Sequence, residues 1–169
     1  MPDFLTEVEA AIPNLRRYAL TLTRDFDAAD DLVQDCLERA LAKRRLWRPH
    51  GPVLPWLFTI LHNRFVSDRR RESRRAPTTT LDGLEGERGA IAVDDPVASV
   101  ALAEVGRALD ELSLEQRTAL LLVAVEGLTY AETAVVLGVP VGTVMSRVAR
   151  ARRSLGRKLG DGPRLAEVK

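Results

Sequence analysis

The residues of this chain best suited to chemistry are arginines on one side of a segment in its last third. Read as a helix at about 100° per residue, the segment Val141–Leu159 has an apolar stripe and contains no acidic residue. Small residues can approach base edges closely, and arginines can hold phosphates. The pattern therefore indicates a helix in the DNA major groove, and the alternative is a surface helix with a solvated basic face. The side opposite the stripe carries Gly142, Thr143, Ser146, Ala149, Arg150 and Arg153.

The residues before this segment predict a helix-turn-helix that would position it. Thr129 is a candidate helix N-cap, and Glu132 three residues later completes a capping box. Gly138 can end that short helix, and Pro140 can help to start the next one. Two helices joined by such a turn form the DNA-binding arrangement whose second helix enters the major groove.

Residue types that serve catalysis or metal binding lack suitable spacing. Cys36 is the single cysteine, and His50 and His62 are isolated from each other and from other ligand types. Asp30 and Asp31 are adjacent, so on a helix they point in different directions and make a poor acid–base pair. The sequence has no glycine-rich phosphate loop and no nucleophile–base pair. We therefore predict that the protein is not an enzyme and needs no metal or cofactor.

Charge is distributed in blocks, although the formal net charge is only +1. Residues 25–38 are acidic, residues 69–75 are basic, residues 82–95 are mostly acidic, and the last third returns to arginine. Such blocks indicate several partners of opposite sign. The N-terminus lacks a signal-peptide pattern and no apolar run approaches transmembrane length, which predicts a cytoplasmic protein without membrane insertion.

Apolar periodicity predicts an all-α fold with two small helical domains, because no segment shows sustained strand-like alternation. We expect the first domain over residues 1–75 and the second over residues 98–160, with a tail at 161–169. Residues 76–97 are rich in Thr, Gly, Asp and Glu, which predicts a flexible acidic linker. Pro13 is expected to kink or break the first helix. The helices expected before the helix-turn-helix span residues 4–23, 28–45, 55–74, 100–112 and 114–126.

A proline-rich loop with aromatic neighbours precedes the basic cluster. Residues 48–55 contain three prolines and a glycine, which predict irregular structure. Trp47, Trp56, Phe58 and Phe65 flank the loop, and the following helix runs into RRRESRR. Aromatic surface beside dense positive charge suits single-stranded nucleic acid. Aromatic residues at helical spacing are more often core, and this alternative stays open.

Three segments together resemble the extracytoplasmic-function, or group IV, sigma factors of bacterial RNA polymerase. They are DDLVQDCLERAL, WLFTILHNRFVSDRRR and GLTYAETAVVLGVPVGTVMSR, in the order and at the separations of that family. The segment IPNLRRYALTLTRDFDAADDLVQD is similar to the alphaproteobacterial general-stress branch. The resemblance covers residues 15–159 apart from the linker. It implies a transcription initiation factor that binds core polymerase, recognises two promoter elements and helps to open DNA.

The resemblance also implies which residues of the first domain act. It implies that the protein binds core RNA polymerase through the β′ clamp helices and the β subunit. The residues that match the clamp-binding helix of the family are Asp31, Leu32, Gln34 and Asp35. The loop after Trp47 matches the one that receives a flipped base of the −10 element. Asn63 matches a position lining that pocket, although it could equally be a helix-surface amide. The implied −10 contacts are Trp47, His50, Asn63, Arg64, Arg69, Arg70 and Arg71.

The helix-turn-helix matches the part of the family that reads the −35 element. Many family members carry arginine where this chain has Met145, and by angle Met145 falls at the edge of the apolar stripe. This position predicts that Met145 packs rather than reads bases. The resemblance further implies an anti-sigma factor as a partner. The implied −35 contacts are Gly142, Thr143, Ser146, Arg147, Arg150 and Arg153.

Two other functions share parts of this pattern. A sigma mimic would present the same helical surfaces to sequester an anti-sigma factor without engaging polymerase. A plain helix-turn-helix regulator would bind promoter DNA alone, but it would not need DDLVQD or the aromatic loop.

Overall fold

The computed structural model describes residues 3–47, 51–75 and 96–159 of the chain. All regular structure in these ranges is helical, which confirms the predicted all-α class. The chain divides into two compact units, Met1–Arg88 and Gly89–Lys169. The predicted linker lies almost entirely outside the described residues.

Three helices pack against one another in the first unit: α1 (Phe4–Thr23), α2 (Phe26–Ala42) and α3 (Val53–Arg75). A short 3₁₀ turn, Arg44–Leu46, follows α2. Asp25 caps α2, since its side chain accepts a 2.7 Å hydrogen bond from the Ala28 backbone N–H. The fully buried side chains come from all three helices and include Leu15, Tyr18, Cys36, Leu57, Phe58 and Leu61.

The two helical prolines of this unit do not break or start helices as the sequence predicted. Helix α1 continues through Pro13. Proline has no N–H to donate to the carbonyl four residues earlier, and because Pro13 is exposed this carbonyl lies on the solvent side. Helix α3 begins at Val53 rather than Pro55. The first-turn N–H groups of a helix have no partner within it, so Pro55 costs α3 no hydrogen bond. Helix α2 ends at Ala42, three residues before the predicted end.

Four helices form the second unit: α4 (Pro96–Asp110), α5 (Leu114–Ala124), α6 (Tyr130–Leu137) and α7 (Val141–Leu159). Helix α7 packs against the other three and is the central helix of the unit. Ser113 caps α5, because its side chain accepts a 3.3 Å hydrogen bond from the Gln116 N–H. Helix α4 begins two residues inside the predicted linker. The buried core includes Leu112, Ala119, Leu120, Val144, Val148, Ala151 and Leu155.

Candidate nucleic-acid interface

Helices α6 and α7 form the predicted helix-turn-helix. The Thr129 hydroxyl accepts a 3.1 Å hydrogen bond from the Glu132 N–H, and the Glu132 carboxylate accepts a 2.8 Å bond from the Thr129 N–H. This reciprocal pair is a complete capping box. Gly138 ends α6 in the left-handed region at φ 64°. After a three-residue turn α7 continues at 102° to α6, within the range of helix-turn-helix units.

The two sides of α7 differ as the sequence indicated. Its apolar stripe is buried at Val144, Val148, Ala151 and Leu155. None of the predicted −35 contacts on the opposite side is buried. Thr143, Ser146 and Arg147 are half-buried, and the remaining ones are exposed. The Ser146 hydroxyl donates to the Thr143 carbonyl at 3.0 Å, so its oxygen lone pairs remain available to accept a hydrogen bond. The exposed members are Gly142, Ala149, Arg150 and Arg153.

Met145 does not pack, and the prediction from its angle is wrong. Its side chain is 55% exposed, and Val141 one turn earlier is 42% exposed. The buried part of the stripe begins at Val144, so the edge on which Met145 lies is uncovered at the start of α7. Helix α7 therefore begins with an apolar edge beside its polar face.

Helix α3 presents a second polar face. Asn63, Ser67, Arg70 and Arg74 follow at spacings of three or four residues, and all four are exposed. Arg71, also exposed, adjoins this row. With 23 residues at 1.5 Å each, α3 is about 35 Å long, so Asn63 stands midway along it and the arginines near its C-terminus. We name this row the Asn63 face.

Two of the predicted −10 arginines lie away from the Asn63 face. The Arg64 Nε lies 3.1 Å from an Asp35 carboxylate oxygen and 2.8 Å from one of Asp68, and its side chain is 23% exposed. Arg64 thus ties α3 to α2. The Arg69 guanidinium lies over the Phe65 ring, 5.7 Å from its centroid. Only Arg70 and Arg71 of the predicted arginines are on or beside the face that contains Asn63.

The aromatic residues serve mainly to close the first unit. Phe58 is fully buried and meets Tyr18 edge-on, with ring centroids 5.1 Å apart. Trp47 is half-buried and its ring centroid lies 5.2 Å from that of Phe4 at the start of α1. The core alternative therefore holds for Phe58, whereas Trp47 is packed on one side and open on the other. His50 lies outside the described residues.

Sequence reasoning missed a polar contact inside this unit. The Tyr18 hydroxyl and the Nδ1 of His62 lie 2.9 Å apart, and the two rings stack. Tyr18 is fully buried, and burial raises the pKa of its phenol. The residues are 44 positions apart, so no local pattern could pair them.

The acidic surface of α2 contains only part of the predicted polymerase contacts. Asp31 and Gln34 are exposed, and the Gln34 amide donates to Glu38 at 3.1 Å. Leu32 is 7% exposed, so its side chain is buried within the unit, and its direct contact with polymerase stays a prediction. Asp35 is half-buried beside Arg64.

Cys36 and the other potential ligands form no reactive centre in the part of the chain that is described. Burial raises the pKa of the Cys36 thiol to about 12, and its S–H donates to the Leu57 carbonyl at 3.5 Å. No group of three or more His, Cys, Asp and Glu side chains among the described residues could hold a metal ion. Of the described helices, none alone is long and apolar enough to cross a membrane. The bent pair α6 and α7, taken together, has sufficient length and apolar composition.

Comparison with known proteins identifies the family. The family model of sigma-70 region 4 matches residues 102–155, and that of the sigma2 domain of PhyR matches residues 8–62. The ECF RNA polymerase sigma factor EcfG of Rhodopseudomonas palustris is 41% identical over 152 residues, which cover 88% of this chain and 81% of that protein. The chain belongs to the ECF RNA polymerase sigma factors. It is a sigma factor, which directs RNA polymerase to promoters and initiates transcription.

Other relatives agree with this assignment. The ECF sigma factor SigC of Mycobacterium tuberculosis is 35% identical over 153 residues, covering 88% of this chain and 78% of SigC. The sigma factor RpoE of Bartonella quintana, solved in complex with the anti-sigma factor NepR, superposes with a TM-score of 0.74. RpoE is 32% identical to this chain, and the match covers 96% of this chain and 100% of the RpoE chain. The similarity to the general-stress branch is confirmed, and the matched sigma factors outweigh the mimic and plain-regulator alternatives.

Proposed function

We propose that this sigma factor divides its work among three surfaces. Asp31 and Gln34 on α2 bind core RNA polymerase, the Asn63 face of α3 contacts the −10 element, and α7 reads the −35 element. One observation carries the proposal: the exposed acids of α2 and the exposed arginines of α3 belong to the same three-helix unit. Surfaces of opposite charge on one unit suit simultaneous binding of a protein and of DNA.

The acidic surface suits a basic, amphipathic partner helix such as a clamp helix of the β′ subunit. Asp31 supplies charge and Gln34 supplies an amide that can both donate and accept. Leu32 acts from inside, since it packs in the core, whereas Asp35 has a side chain that is 42% exposed and holds Arg64. Leu32 positions the surface, and Asp35 lies at its edge.

The −10 surface consists of an amide followed by cations. Asn63 can hydrogen-bond to the edge of an unstacked base, and Arg70, Arg71 and Arg74 can neutralise the neighbouring phosphates. Trp47 packs on Phe4 at the start of α1. Arg64 positions α3 against α2, and Arg69 belongs to another side of the helix.

The −35 surface is the exposed side of α7. Thr143, Ser146 and the small Gly142 and Ala149 approach base edges, while Arg147, Arg150 and Arg153 hold phosphates. The partners we propose are promoter DNA, core polymerase through its β′ and β subunits, and an anti-sigma factor, since the solved RpoE relative is in complex with one. The protein acts in the cytoplasm and has no catalytic activity of its own.

A pair of matched arginine variants tests the Asn63 face. Arg70→Ala in the reconstituted holoenzyme should slow promoter opening several-fold, because it removes a phosphate contact beside the base-binding amide. Arg69→Ala removes the same charge from another side of α3 and should leave opening almost unchanged. Fluorescence of 2-aminopurine at the −10 element measures opening directly. Equal effects of the two variants would contradict the proposed face.

A further inference from the structure

An exposed apolar edge borders the DNA-reading side of α7. Met145 is 55% exposed, whereas Val144 and Val148 beside it on the stripe are 0% and 1% exposed. Burial of a methionine side chain is favourable, and the fold obtains only part of this at Met145. The second unit thus leaves uncovered an apolar side chain that its own core does not use.

The position of Met145 on α7 directs this edge toward base pairs rather than phosphates. Met145 and Ala149 are four residues apart and share a side, and both are exposed. At about 100° per residue this pair adjoins Gly142 and Ser146. The pair lies in the first half of α7, and base contacts of a helix-turn-helix come from the N-terminal part of the second helix.

The chemistry of methionine restricts what this edge can recognise. Its thioether carries no hydrogen-bond donor, so it cannot bind guanine O6 and N7 as an arginine does. Its flexible, polarizable chain suits an apolar surface of irregular shape. The apolar group that base pairs expose in the major groove is the C5-methyl of thymine.

We propose that Met145, together with Ala149, is a specificity-determining residue that contacts a thymine methyl group in the −35 element. The inference rests on the proposed assignment of α7 to the −35 element. It implies a −35 sequence in which a thymine occupies the base pair that faces Met145. Preference at that base pair then depends on a methyl group rather than on a hydrogen bond.

Removing single methyl groups from the DNA tests the proposal. Each thymine of a −35 element selected by the wild-type holoenzyme is replaced by deoxyuridine, and binding is measured by equilibrium competition. Deoxyuridine differs from thymine only by the methyl, so one position should lose about four-fold in affinity, the value of one buried methyl group. At the same position, 5-methylcytosine should bind more tightly than cytosine.

Variants of the protein assign the effect to a residue. Met145→Ala should bind thymine and deoxyuridine equally at that position, and its exposure means that no core cavity is created. Val125→Ala removes an equally exposed apolar side chain at the end of α5 and should keep the four-fold preference. A preference that persists in Met145→Ala, or an absence of any methyl-sensitive position, overturns the proposal.

Failure of the underlying assignment gives a different result. Arg150→Ala and Arg153→Ala should weaken binding to every duplex whether or not Met145 contacts a methyl. If they leave −35 binding unchanged, α7 is not the −35 reader, and the Met145 proposal falls with it. If they weaken binding while methyl removal has no effect, only the Met145 proposal is overturned.

Discussion

At the scale of single residues, Gly142 shows how a position can serve a partner rather than the fold. A Cβ added at Gly142 would meet no atom within 4 Å, so the packing of the second unit does not require glycine there. Glycine inside a helix costs about 0.5–1 kcal/mol relative to alanine. In the proposed function the missing side chain lets the start of α7 approach the floor of the major groove closely.

Gly142→Ala is expected to have opposite effects on stability and on binding. It should raise the free energy of unfolding by up to about 1 kcal/mol, because alanine is the better helix former. Affinity of the holoenzyme for −35 DNA should fall about ten-fold, the scale of one lost base contact. Thermal unfolding and DNA competition measure the two quantities.

Gly156→Ala is the matched control. It lies late in the same helix, is exposed, and also has open space for a Cβ. It should stabilise the protein in the same way without loss of −35 affinity. Unchanged affinity in Gly142→Ala, or an equal loss in both variants, would contradict close approach at Gly142.

Residue roles divide into those that the sequence can predict and those that depend on neighbours. The capping residues Thr129 and Glu132 were predictable because both partners lie within four positions. Arg64 resembled its arginine neighbours in sequence, but Asp35, 29 positions earlier, holds it in the structure. Met145 was misjudged because an angle on a helix does not reveal where the covering helices stop.

At the scale of elements, α7 combines a buried stripe with a basic outer side. The stripe anchors it against α4, α5 and α6, and the 102° turn after α6 directs the other side outward. Because α7 packs against the three other helices of its unit, the backbone that carries its arginines is held in place by these contacts. This arrangement predicts that the arginines contribute electrostatic affinity without sequence preference.

Arg150→Ala and Arg153→Ala are each expected to lower the slope of log affinity against log salt by about 1, since each removes one phosphate contact. Affinity should fall similarly for all duplexes. Filter binding of the holoenzyme over a range of salt concentrations measures the slope. Arg107→Ala, which removes an exposed arginine from α4, should leave the slope unchanged. A sequence-selective loss with an unaltered slope would count against phosphate contacts.

Element boundaries were predicted less well than element types. Composition predicted irregular structure through Pro55, yet α3 begins at Val53, where a helix start tolerates proline. Pro13 was expected to interrupt α1, but an exposed proline can remain in a helix whose opposite side is well packed. At Pro13 tertiary packing of the apolar side outweighs the local cost of proline, whereas Pro55 in the first turn of α3 carries no such cost.

At the scale of the whole molecule, charge blocks account for a DNA-binding protein with a net charge of only +1. The acids of α2 offset the arginines of α3 and α7 in the total but occupy different surfaces. Sequence alone indicated these blocks and the all-α class. The sequence did not indicate which residues of α2 are exposed, because this depends on the packing of α1 against α2. Packing buries Leu32.

Co-elution with purified core RNA polymerase tests most directly whether α2 is the polymerase-binding surface. The wild-type protein should co-elute, and Asp31→Ala/Gln34→Ala should weaken co-elution at least ten-fold. The control Thr6→Ala/Glu9→Ala changes two exposed residues of α1, one of them acidic, and should behave as the wild type. Co-elution that is equally strong in all three proteins would contradict polymerase binding through Asp31 and Gln34.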